Sequence, residues 1–79
     1  MLGRPPWTGV RFSRHAKNRM RHYKILFSEV ELAVGYPIRR EVDEDGNSRL
    51  TGLGAGNRAI IVVLAKDDLD FVITTFPDD

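Results

Sequence analysis

Arg58-Ala59-Ile60-Ile61-Val62-Val63-Leu64-Ala65 is apolar at both odd and even positions, and its reading decides the fold. A strand sends alternate residues to opposite faces, so a run that is apolar throughout is covered on both sides. The stretch is therefore predicted as the central strand of a sheet, with helices over one face and something else over the other. Its flanks carry the period of two expected for neighbouring strands. Upstream, Ile38-Arg39-Arg40-Glu41-Val42-Asp43 reads as a polar, half-exposed strand, and Ser48 to Leu53 returns antiparallel to it. Glu44-Asp45-Gly46-Asn47 joins the two with residues that tolerate positive φ. Gly54-Ala55-Gly56-Asn57 is a second turn. Downstream, Lys66-Asp67-Asp68-Leu69-Asp70 turns the chain again, Phe71 to Phe76 completes a meander, and Pro77-Asp78-Asp79 is a stop and a tail.

Before the strands the period is helical. Ser13 suits an N-cap, because its side-chain oxygen can accept from the free amides of a first turn. From there to Tyr23 no Gly or Pro intervenes, and Ala16, Met20 and Tyr23 form one apolar stripe at i, i+4 and i+7. A second, shorter helix is expected from Ser28, where Ser28-Glu29-Val30-Glu31 has the capping-box pattern. Val30, Ala33 and Val34 face inward, Phe27 staples the start, and Gly35-Tyr36-Pro37 ends it. Val10-Arg11-Phe12 offers a short edge strand. Residues 1–9, with Pro5-Pro6 and Gly9, read as an extended arm, and residues 10–79 as one domain. Trp7 in that arm either packs across the core as a lid or anchors a partner. The order predicts an α+β fold, two N-terminal helices packed on a four-stranded antiparallel sheet.

At 79 residues the chain has room for one core. It contains no cysteine, which removes disulfides and thiolate metal sites and fits a reducing cytoplasm. No apolar run approaches the roughly 20 residues that span a bilayer, and the first residues lack a hydrophobic signal segment. The expectation is a cytoplasmic protein with no membrane contact. A formal net charge of +1 conceals a division at Lys24. Up to that point stand seven Lys and Arg residues and no acid, and beyond it five cations against eleven acids. Such a basic segment suits a phosphate backbone, an acidic partner protein, or the acidic half of a second copy.

On the first helix His15, Arg19 and His22 line one face at i, i+4 and i+7. Imidazole gives or takes a proton near neutrality and guanidinium binds phosphate bidentately, which together suit metal-free RNA cleavage. A solvated helix face explains the same spacing. Arg14, Lys17, Arg21 and Lys24 add to the nucleic-acid-binding set. Two histidines seven residues apart with no third ligand define no zinc site, and no cofactor is implied. Gly52-Leu53-Gly54-Ala55-Gly56 precedes a strand rather than opening a helix, so it reads as a turn and not a phosphate loop. On the sheet, Arg49 is set to pair with Glu41 if the hairpin puts them opposite, and Thr74 and Thr75 lie on opposite faces, Thr74 with Val72 and Phe76. Asp67, Asp68 and Asp70 are turn-formers with no catalytic part.

Taken in order, His15-Ala16, Arg19-Met20, Phe27-Ser28-Glu29-Val30, Ile60-Ile61-Val62-Val63 and Val72-Ile73-Thr74-Thr75-Phe76 resemble a small bacterial domain-of-unknown-function family over about residues 12–77. That family is in turn similar to the RelE, ParE and BrnT toxins of toxin-antitoxin pairs. The resemblance implies a toxin-like α+β scaffold and endoribonuclease activity, with His15, Arg49 and Thr74 or Thr75 at the reaction and Lys17 and Arg19 on phosphate. It also implies RNA and a cognate antitoxin as partners. A non-catalytic binding module of the same fold and a self-associating homodimer are the other two expectations.

Overall fold

The computed structural model of the chain describes residues 10–78. The elements run β1 (Arg11–Phe12), α1 (Arg14–Tyr23), α2 (Phe27–Gly35), β2 (Arg39–Val42), β3 (Ser48–Leu53), a 3-10 turn (Ala55–Asn57), β4 (Ala59–Ala65) and β5 (Asp68–Pro77). They form an α+β arrangement with both helices on one face of a mixed five-stranded sheet of order β1-β5-β4-β3-β2. The expected arm at residues 1–9, with Trp7, lies outside the described residues.

The sheet departs from the expected four antiparallel strands at one edge. β1 adds to β5 in parallel, Arg11 against Phe71 and Phe12 against Val72, while the other neighbours are antiparallel. The strand is short because Ser13 diverts the chain into α1. Its amide donates to the Val72 carbonyl at 2.9 Å, its hydroxyl donates to the Ile73 carbonyl at 2.6 Å, and the same oxygen accepts from the Ala16 amide at 2.9 Å. One serine thus ends a strand, caps a helix and ties both to β5. Arg11 adds an ion pair with Asp68 and lies 5.7 Å from the centre of the Phe71 ring.

β4 is central, as its composition predicts. Ile60, Val62 and Leu64 face the helices and form one core with Leu50, Val72, Ala16, Met20, Ile25, Val30 and Ala33. Each large member of that core contributes about 1.5–3 kcal/mol by leaving water. On the other face Thr51, Ile61 and Val63 are also buried. Register assigns the remaining residues to a side. Glu41, Arg49, Val63 and Thr74 form one row across the sheet, and Arg40, Leu50, Val62 and Thr75 form the next row on the helix side.

A bulge in β5 corrects the expected facing of the threonines. Val63 pairs with Thr74 and Leu64 pairs with Val72, so Ile73 is an extra residue in the ladder. One inserted residue reverses the parity of everything beyond it. Val72 therefore joins Thr75 on the helix side, and of the two neighbours expected beside Thr74 only Phe76 stays with it on the far side. Thr75 is fully buried and donates its hydroxyl to the Ile61 carbonyl at 2.7 Å. β5 also begins sooner than expected, at Asp68, leaving only Lys66 and Asp67 to turn the chain.

α2 begins earlier too, and its capping acid is not Glu31. Leu26 holds the N-cap position, and the Glu29 carboxylate reaches back to the Leu26 amide at 2.8 Å. The other Glu29 oxygen accepts from the Ala55 amide at 2.7 Å, joining the helix start to the 3-10 turn. Two glycines make that approach available. A Cβ on Gly52 would stand 2.5 Å from the Ala33 Cβ, and one on Gly54 would overlap a Glu29 carboxylate oxygen.

Candidate functional site

α1 shows how a polar sequence is held on an apolar sheet. Only Ala16 and Met20 are buried on it, and Tyr23 is half-buried. Its end is closed by Lys24 in the left-handed region, φ 57°, and by the Ile25 amide donating to the Met20 carbonyl at 2.8 Å. With a single buried stripe the rest of the surface sorts into two flanks. Arg14, Lys17, Arg21 and Lys24 recur at i, i+3, i+7 and i+10 on one of them, and His15, Arg19 and His22 occupy the other. All seven are exposed. Among the described residues, the ion pairs are Arg11 with Asp68 and Arg58 with Glu29, so the five Lys and Arg side chains of α1 and its cap have no counter-charge.

Beside the first flank, where α1 turns into α2, lies a hollow of about 430 Å³. Its floor is Met20, Ile25, Leu26 and Phe27, and its rim is Lys17, Arg21 and Lys24. Leu26 and Phe27 are 59% and 55% exposed, so two adjacent large apolar side chains open onto the hollow. The Phe27 ring is held by Phe12, centroids 4.9 Å apart at 60°, which fixes one side of the ring and leaves it lining the hollow. Among the described residues no acid takes part in the rim. The sequence predicts Phe27 only as a helix staple, and nothing in it singles out Leu26. Spacing alone points Leu26 inward, four and seven residues before Val30 and Ala33, and it is exposed because it holds the N-cap position outside the helix.

The three residues expected at a reaction centre are not brought together. Arg49 and Thr74 stand in one row on the far face of the sheet, with Val63 between them, two strand spacings or about 10 Å apart. His15 is exposed on α1, which covers the opposite face. The sheet therefore separates the imidazole from the guanidinium. Arg49 lies directly across from Glu41, as the hairpin reading allowed, yet no ion pair joins them, and its Nε is buried without a hydrogen-bond partner. Thr75 is committed to the core. His22 packs edge-on against Tyr23, centroids 4.6 Å apart.

Behind the hollow, Glu29 and Arg58 lock the α1–α2 corner. Arg58 donates to the Tyr23 carbonyl at 3.0 Å and the Lys24 carbonyl at 3.2 Å, and reaches Glu29 at 3.5 Å. Burial opposes the charge of Glu29. The amides of Leu26 and Ala55 and the Arg58 guanidinium outweigh it, so the carboxyl lies below the ordinary glutamate range. Asp68 is likewise lowered, by Arg11 and by the Asp70 amide. Both acids serve the frame, and neither faces the hollow.

Among the described residues no three His, Asp or Glu side chains converge as metal ligands, and no helix is long and apolar enough to cross a membrane. No curated protein and no solved structure matches the chain. A family model described as a domain of unknown function, DUF4258, matches residues 12–77, from the β1 edge through the end of β5, and the chain belongs to that family.

Proposed function

We propose that this chain is a non-catalytic nucleic-acid-binding module that docks through the exposed flanks of α1, with RNA as its polyanion. The observation that carries the reading is five exposed Lys and Arg side chains on α1 and its cap without an ion-pair partner among the described residues, with no acid from Val10 to Ser28. Charges left without internal partners add little to folding. Against a phosphate backbone they release condensed counterions and supply most of the affinity. His15, Arg19 and His22 extend the same surface, with Arg19 suited to bidentate contact with phosphate. The similarity expected between this family and the RelE, ParE and BrnT toxins favours RNA in particular, and the residues that similarity would put at a reaction, His15 and Arg49, are parted by the sheet.

The test compares the native chain with an Arg14→Gln, Lys17→Gln, Arg21→Gln, Lys24→Gln variant on labelled RNA across a salt series. Binding should be steep in salt. The slope of log affinity against log salt should fall by about 3 in the variant, at roughly 0.7 to 0.9 for each phosphate that no cation neutralises any longer. RNA incubated in excess chelator should stay intact. Cleavage that disappears in His15→Ala would replace this reading with the endoribonuclease one, and unchanged salt dependence in the fourfold variant would remove α1 from the interface.

A further inference from the structure

Resting on that reading, we propose that the hollow between α1 and α2 receives a nucleobase turned out of its stack, so that the module prefers single strands and strand ends to duplex. A continuous duplex offers α1 phosphates but no free base face, and its rigid backbone carries no apolar group to a floor of Met20, Ile25, Leu26 and Phe27. An unstacked base brings an apolar π-face and the phosphate beside it at the same time. The hollow is shaped for that pair of properties. Phe27 presents a ring held by Phe12, Leu26 covers the neighbouring surface, and Lys17, Arg21 and Lys24 stand along the rim within one line of the helix.

The same line of cations continues to Arg14, so a strand whose base enters the hollow runs its backbone back along α1 toward the helix start. An acidic peptide answers the rim but not the aromatic floor. Phe27 on the floor and Arg21 on the rim suit stacking against a base as well as phosphate contact. Because the floor offers shape and a ring face rather than directed hydrogen-bond donors, selection among bases is weak.

The experiment measures affinity for a labelled single-stranded 12-mer and for a hairpin duplex of equal phosphate count, at one salt concentration, with the native chain, Phe27→Leu and Phe27→Trp. Leucine keeps an apolar group against Phe12 while removing the stacking face, and melting temperature is followed to show that both variants fold. The native chain should favour the single strand by about fivefold to a hundredfold. Phe27→Leu should lose most of that preference while binding duplex as before, and Phe27→Trp should retain it. Equal preference in the native chain and Phe27→Leu overturns the base site. If duplex binding still collapses in the fourfold α1 variant, the module reading stands by itself; loss of measurable binding to both nucleic acids in the native chain removes both. Poly-glutamate of matched charge that binds as tightly as the single strand overturns the proposal in favour of an acidic protein partner.

Discussion

α1 is held to the sheet by Ala16, Met20 and the Ser13 cap, whereas α2 is held by Val30, Ala33 and the buried carboxylate of Glu29. Both helices cover the same sheet face. α1 keeps few buried atoms and leaves its cations open. α2 keeps a charged group inside and approaches β3 so closely that Gly52 has no room for a Cβ. Stability and interaction are thereby assigned to different helices. Residues that must touch an outside partner are poor choices for closing a core, since their charge is costly to bury.

The comparison breaks first on the α2 side. Gly52→Val places new carbon into Ala33, where the nearest atoms are backbone and a short side chain that cannot swing away. About 3 kcal/mol of stability should be lost, a large share for a domain of this size, read as a lower urea midpoint. A smaller loss of about 2 kcal/mol is expected for Glu29→Gln, which keeps the shape but removes the charge facing Arg58 and one of the two acceptors that serve the Leu26 and Ala55 amides. That loss has a pH signature. The folded carboxyl lies below its unfolded value, so its contribution is complete above the ordinary glutamate range and drains away as pH falls through the folded pKa. Glu29→Gln should flatten this part of the native stability profile in urea titrations carried from neutral pH down through and below the ordinary glutamate range. The smallest effect belongs to α1. The fourfold glutamine variant should melt within about 0.5 kcal/mol of the native chain, because surface charges without partners contribute little to the fold. A loss as large as that of Glu29→Gln would end the division between the two helices.

Much of the frame was legible because it depends on neighbours in sequence. Ser13 announces a cap through its own side chain, and the helix that follows needs only a stripe of three apolar residues. The β4 run is apolar on both faces whatever its partners are. Lys24 marks the charge boundary by simple position. The candidate site was half legible: its cations were identified on α1, while its apolar floor was not, because exposure of Leu26 and Phe27 is decided by how α1 turns into α2 and by where Phe12 stands. Glu29 and Glu31 flank the inward stripe on opposite sides of the helix, and which of them caps it is settled only when the 3-10 turn supplies the Ala55 amide.

By itself the amino-acid sequence determined the element types, their order and the polarity of charge, since capping, periodicity and composition act within a few residues. Tertiary structure alone decided which side of the sheet each side chain faces. The parallel pairing of β1 with β5 joins residues 60 positions apart. The extra residue at Ile73 turns Thr74 away from Val72, and Arg49 falls on the far side from His15. Facing depends on counting residues through a ladder, and one bulge or one shifted partner reverses the count without leaving a mark on either strand's own composition.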